Sequence, residues 1–246
     1  MKILLACEES QRVTVEMRKL GHEAYSCDLI PCSGGYPEWH IQSDVLPLIN
    51  GNCDFTTADG ALHKISGKWD MIIAFPPCTY LTNAGTRHFS PKCSTPEKIA
   101  TRKELRERAA DFFISLANAD CERIAIENPV GYMSRHYKPP TQIIEPYYFA
   151  ESVDDKENYV TKRTCLWLKG LPPLKPTADL PRPKPIREYT NIHGKTKYVG
   201  WCMNVGGKNQ AERAKRRSKT FFGVAKAMAE QWAGILPPVP LKEVVI

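Results

Sequence analysis

Long apolar runs are missing from this chain. Nowhere does it approach the roughly 18 consecutive apolar residues that span a bilayer, which argues against a membrane protein. The opening MKILLACEESQR meets charge too early for a secretory signal and reads as a first buried strand. Close CxxC pairs are also missing: the nine cysteines are scattered, several inside or beside apolar runs such as LLAC, YSCDL and TCLWL. Neither a structural zinc site nor a disulfide framework fits that pattern, and a reducing, intracellular setting does. Glycine is absent where a dinucleotide needs it. The turn ACEESQR has no GxGxxG, so the backbone lacks the usual means of approaching a pyrophosphate, and NAD enzymes are disfavoured. No internal repeat is evident.

What is present suits one substantial core: 246 residues of 42% hydrophobic composition. The net charge is +7, and the basic residues Lys195, Lys197, Lys208, Arg213, Lys215, Arg216, Arg217 and Lys219 crowd the final quarter. Such a surface attracts phosphate backbones, although many basic proteins never meet nucleic acid.

Over the first 130 residues, short apolar runs alternate with helical patterns. Strands are predicted at Lys2 to Cys7, in HEAYSCDL ending at Asp28, in MIIAF at 71–75, in RIAIE at 123–127 and in CLWLKGL at 165–171. Helices are predicted at Arg12 to Leu20, stopped by Gly21, and at Pro96 to Asn118. CDFTT and ALHKI around Asp59-Gly60 read as a small hairpin, and Asp44 to Ile49 as a short element of open type. The alternation implies an α/β fold, a doubly wound and mostly parallel sheet with helices on both faces. Residues 172 to 200 then hold six prolines and leave little room for a regular core. A helical pattern resumes at Ala211, where Val224, Met228, Gln231 and Trp232 form a face able to dock on the sheet. The expected division is a catalytic domain over 1–174, a small irregular recognition region over 175–217, and a returning helix with its tail over 218–246.

In an open parallel sheet, ligands gather at the carboxyl ends of the strands. Glu8 and Glu9, Asp28, Pro76-Pro77-Cys78 and Glu127-Asn128-Pro129 fall there. Asp28 ends the second strand where an acidic side chain accepts bonds from ribose hydroxyls, or is simply a solvated strand end. Asp44 either contacts adenine from the end of a third strand or caps the turn that follows. Glu8 is a candidate for the ribose or methionine part of a phosphate-free adenosyl ligand, and with Pro76 these residues form the expected cofactor-binding set. Cys78 follows a buried strand behind two stiffening prolines, in a loop whose polar TYLTNAG tail opens to a cleft. The other eight cysteines read as packing. Glu127 leaves a buried strand, so its carboxyl should hold a proton near neutrality and serve as an acid.

The ordered set LLACEESQR, CDL, SDVLPL, IIAFPPCTYLTNAG, IAIENP and TKRTCLWLKGLPPL, covering most of residues 3–174, resembles the DNA cytosine-5 methyltransferase family. The similarity is strongest to the compact forms carried by bacteriophages and their bacterial hosts. The resemblance implies the methyltransferase variant of the doubly wound sheet, S-adenosylmethionine as cofactor, no metal, double-stranded DNA as partner, a monomer, and a place in the bacterial cytoplasm or nucleoid. A restriction–modification role, as protection from cleavage, is what it suggests. It further implies that Cys78 attacks carbon 6 of a flipped-out cytosine while Glu127 stabilises charge at N3 and Asn128 orients the Cys78 loop. The family's Gln-x-Arg-x-Arg motif matches Thr161 to Cys165, with Arg163 retained but Thr161 in place of glutamine and Cys165 in place of the second arginine. Lys162 is the candidate to replace that arginine. The closing RSKTFFGVAKAMAEQW resembles the family's last helix, without its Gly-Asn pair. DNA contacts are expected from Lys162, Arg182, Arg187, Lys195, Lys197, Arg213, Arg216 and Arg217, mostly to phosphates. A cytosine-5 methyltransferase of RNA and a non-catalytic DNA-binding protein on the same fold remain as alternatives.

Overall fold

The opening apolar run forms strand β1 (Lys2–Ala6), whose side chains alternate between two hydrophobic layers. Ile3 and Leu5 enter one layer, Leu4 and Ala6 the other. Burial on both faces is why the strand is continuously apolar. The computed structural model describes residues 1–191 and 194–234. Helix α1 (Arg12–Lys19) buries Val13 and Met17, and Gly21, at φ 83°, makes the left-handed exit that a side chain would resist. Strands β2 (Glu23–Asp28) and β3 (His40–Gln42) follow in parallel register. The anticipated hairpin is β4 (Cys53–Thr56) with β5 (Leu62–Ile65), an antiparallel pair outside the main sheet.

Strand β6 (Met71–Ala74) returns beside β1. Helix α2 (Pro96–Ala117) begins with Pro96 in its first turn and a Thr95 side chain accepting from Lys98 N, both strong start signals. Strand β7 (Ile124–Pro129) is followed by the single turn α3 (Met133–His136), then by β8 (Gln142–Ile144) and β9 (Thr164–Lys169). The sheet has seven strands in the order β3-β2-β1-β6-β7-β9-β8. Neighbours are parallel except at β9, which runs antiparallel to both β7 and β8. The chain is therefore α/β with a mostly parallel sheet, compatible with a Rossmann-like fold. The reversed strand departs from the expected alternation. The link from β8 holds only a 3-10 turn at Pro146–Phe149, without the long packed helix that a parallel crossover commonly uses.

Residues 175–217 hold more regular structure than their prolines suggest. They include the hairpin β10 (Arg187–Thr190) with β11 (Thr196–Val199), the turn α4 (Trp201–Asn204) and helix α5 (Gln210–Ser218). Helix α6 (Phe222–Trp232) buries Val224, Met228 and Trp232 beside α1. Helix α2 covers the opposite face, where Phe113 meets Trp167 edge-on with ring centroids 5.1 Å apart. The tail expected over 235–246 lies outside the described residues. Among those described, no helix is long and apolar enough to cross a membrane.

The chain runs outward from β1 through β2 to β3, then returns to β6 on the other side of β1. Between the carboxyl ends of β1 and β6 is a topological switch point, where a doubly wound sheet opens a crevice.

Candidate active site

Cys78 stands four residues beyond β6, beside that switch point. Its carbonyl accepts from both Leu81 N and Thr82 N at 3.0 Å, which folds the loop back immediately after the cysteine. The β7–α3 loop holds it from one side: Tyr132 N donates to Leu81 O at 2.7 Å, and Thr82 bridges to Gly131. A Cβ on residue 131 would fall on Leu81 O, so the close approach requires glycine. Helix α2 grips the loop from the other side with two arginines one turn apart. Arg102 donates to Thr79 O at 3.2 Å and Arg106 to Tyr80 O at 3.3 Å, while Arg106 also lies on the Phe89 ring and near that of Tyr132. The thiol is thus aimed by a braced loop and remains half-buried.

β7 delivers Glu127 to the same place. Burial pushes its carboxyl above the ordinary range, with Lys162 and a hydrogen bond from Thr164 opposing the shift. Burial also pushes the Cys78 thiol up, and the Glu127 charge adds to this, while Lys162 and Arg217 pull it down. Glu127, Lys162 and Arg217 therefore all act on the Cys78 thiol, and Lys162 on Glu127 as well, although the four come from separate segments. Lys162 is held over this group by donating to Arg217 O at 3.0 Å. Asn128, buried, donates to Pro76 O at 2.8 Å and so fixes the start of the Cys78 loop. Arg163 is not brought in. It is exposed, and its charge acts on Cys165 and Glu145. Lys162 and Thr164, on either side of it in the chain, are the residues that act on Glu127.

Because Lys162 is the cation shared by thiol and carboxyl, Lys162→Met should make the thiolate harder to form. Iodoacetamide labelling of Cys78, followed by peptide mass mapping across a pH series, is expected to shift to higher pH in this variant. An unmoved profile would show that the lysine does not act on the sulfur.

At the carboxyl ends of β1, β2 and β3 lie further carboxylates. Glu8, only 3% exposed, does not face a ligand: Oε1 accepts from Val13 N at 2.6 Å, and Oε2 accepts from Thr14 N and its hydroxyl. It caps the start of α1, which corrects the expectation of a direct cofactor contact. Burial outweighs these bonds and pushes its carboxyl up to about 7. Asp28 is half-buried, accepts from Ile30 N at 3.2 Å, and has its carboxyl raised by burial. Asp44 is exposed and accepts from Leu46 N at 3.0 Å, the capping arrangement for the turn after it. Both charges act on the thiols of Cys7 and Cys27, which places the two aspartates around one edge. Pro76 is buried and offers its carbonyl to Asn128 rather than to the cleft. The turn between β1 and α1 has left-handed backbone at Cys7 (φ 60°) and Gln11 (φ 56°), each costing about 1–3 kcal/mol in a non-glycine residue. Gln11 is locked there by its amide, which bonds Tyr36 N and O.

The basic residues divide. Arg187, Lys195 and Lys197 lie on the exposed β10–β11 hairpin with Tyr189 and Tyr198. Arg213, Arg216 and Arg217 lie on α5. Arg216 pairs with Glu212 at 2.6 Å and Arg182 with Glu145 at 3.8 Å. Lys162 donates to Arg217 O, and the Arg217 charge acts on the Cys78 thiol, so the end of α5 belongs to the surroundings of this site.

Two participants were not singled out from sequence, Arg102 and Arg106, although they carried a signal, an i, i+4 pair on the helix following the cysteine loop. Arg217 was expected as a DNA contact, and its charge also acts on the Cys78 thiol. Glu9 was placed at the strand edge without a role. The chain matches no protein-family model and no curated protein sequence.

Proposed function

We propose that this chain is an S-adenosylmethionine-dependent methyltransferase acting on carbon 5 of cytosine in double-stranded DNA, with Cys78 as nucleophile and Glu127 as acid. One observation carries this reading: a cysteine and a carboxyl group whose proton is favoured by burial meet at the switch point of a doubly wound sheet, with Lys162 acting on both. The mostly parallel α/β sheet is compatible with the doubly wound form that the resemblance implies. The edge suits an adenosyl ligand without phosphates. Carboxylates of Glu9, Asp28 and Asp44 surround it and would repel a pyrophosphate, whereas a sulfonium nucleoside carries positive charge and hydroxyl donors.

In the proposed reaction, the Cys78 sulfur bonds to C6 of a cytosine turned out of the duplex, which costs a few kcal/mol of stacking and pairing. The C5–C6 π electrons move into the ring, and Glu127 gives its proton to N3 to accept the developing charge. In this reading Lys162 bonds the exocyclic O2 of the cytosine, in place of the absent second arginine. S-adenosylmethionine, when bound, supplies the methyl group that C5 takes from its sulfonium. Water takes the C5 proton, the Cys78 sulfur leaves as thiolate, and N3 returns its proton to Glu127, which restores the aromatic ring and the acid. Asn128, Arg102 and Arg106 keep the loop in place throughout. The β10–β11 hairpin and α5 supply phosphate contacts beside the reacting base.

The test is transfer of labelled methyl groups to duplex DNA and to tRNA, followed by mapping of the modified base. Label at cytosine C5 of duplex DNA is expected. Preference for tRNA would transfer the reading to an RNA enzyme, label on adenine would refute the mechanism, and binding without transfer would leave a DNA-binding protein.

A further inference from the structure

The cations of residues 175–217 are held in different ways, and Arg182 stands apart from the rest. It lies in Pro181-Arg182-Pro183, so a ring stiffens the backbone on each side of it. The chain before it is tied down: Thr177 N donates to Tyr148 O at 2.9 Å, and the Tyr159 hydroxyl donates to Pro181 O at 2.9 Å. The arginine side chain is 70% exposed, yet its Nη2 lies 3.8 Å from Oε1 of Glu145, whose side chain is only 8% exposed. At that distance the carboxylate aims the guanidinium by attraction without using up its hydrogen-bond donors. Arg216, by contrast, spends a donor on Glu212 at 2.6 Å, and Arg187, Lys195 and Lys197 stand on the exposed hairpin.

Glu145 also joins this arginine to the site. It follows β8, whose Ile144 pairs with Thr164 at the start of β9, and Thr164 and Lys162 both act on Glu127. Burial raises the Glu145 carboxyl, while the Arg182 charge, the Lys162 backbone and the Arg163 charge oppose the shift. Neighbouring strands lie about 5 Å apart, so β8 is roughly 10 Å from β7, and an arginine held there reaches base pairs beside an extruded cytosine. We infer that Arg182 reads a guanine flanking the target cytosine, with Glu145 as the residue that positions it. The inference rests on the proposed cytosine methyltransferase and deepens it by assigning sequence choice to one side chain. A phosphate accepts mobile cations in many geometries, whereas a base edge demands a fixed fork. The guanidinium donors match O6 and N7 of guanine, and no other base presents two acceptors in the major groove.

The experiment gives the full chain a pool of duplexes randomised on both sides of a single cytosine, and reads the methylated members by sequencing after bisulfite conversion. Wild type is expected to prefer guanine at one flanking position. Arg182→Ala should lower that preference by about 5- to 100-fold at that position alone, the discrimination carried by one bidentate contact. Arg182→Lys should not restore it, because an ammonium group cannot form the fork. Glu145→Gln should relax the same position by a smaller factor, which a purely structural role for Glu145 would not do. An unchanged preference in Arg182→Ala overturns the inference, as does an equal loss over all sequences, the mark of a phosphate contact. Full recovery in Arg182→Lys, or a wild type indifferent to the neighbours of its cytosine, overturns it too. Arg182 is exposed, so its alanine variant decides the matter even should Glu145→Gln fold poorly. Wild type that methylates no DNA removes the proposed function itself, which separates the two failures.

Discussion

Cys78→Ser is expected to lower methyl transfer by at least about 10³-fold, because a serine hydroxyl in the same braced loop has no comparable anionic form near neutrality. Affinity for the methyl donor and for DNA should stay within about threefold. The sulfur touches the base only as the reaction proceeds, and the loop is held by its backbone, by Asn128 and by two arginines rather than by the thiol. Rate measurements under saturating DNA and donor, with separate binding titrations, decide the matter. A variant that keeps a tenth of the wild-type turnover would mean that the bond to C6 is not made by this residue.

Glu127→Gln is expected to reduce kcat by about 10²- to 10⁴-fold, the usual contribution of a positioned acid, with little change in DNA affinity. Glutamine preserves the size of the side chain and can still donate a hydrogen bond, but it cannot deliver a proton. The pH dependence gives a second readout. In wild type, turnover should fall as pH rises through the raised carboxyl value, because only the protonated form serves as acid. That limb should vanish in the glutamine variant. Equal losses in kcat and in DNA affinity would assign Glu127 to binding instead.

Much of this architecture was legible in the sequence because burial leaves a pattern. Runs such as MIIAF and RIAIE had to be covered on both faces, and Pro96 after Thr95 marked the start of α2. The direction of β9 left no such mark, since a buried strand is equally apolar in either sense, and only the missing long helix before it hinted at reversal. The prolines of 175–217 suggested irregular chain, yet the β10–β11 hairpin and α5 form where prolines end, after Pro185. At the site, the strand-end rule brought Cys78, Glu127 and Asn128 to one edge. It failed for Glu8, which is consumed by capping α1. Arg163, expected from the motif resemblance, stays exposed, while the neighbouring Lys162 acts on Cys78 and Glu127. The missing glycines counted against a dinucleotide, and the turn they would have occupied holds Glu8 and Glu9 between left-handed Cys7 and Gln11.

The central claim is a bond between one sulfur and a pyrimidine carbon. It can be caught with a long duplex in which 5-fluorocytosine replaces cytosine, given together with the methyl donor. Fluorine cannot depart from C5 as the proton does, so expulsion of the sulfur is blocked and the adduct persists. Mass spectrometry after denaturation should find one DNA strand per protein, joined at the peptide containing residue 78, with a methyl group added to the ring. Attachment through a different cysteine, or no attachment by protein that methylates ordinary DNA, would contradict the account.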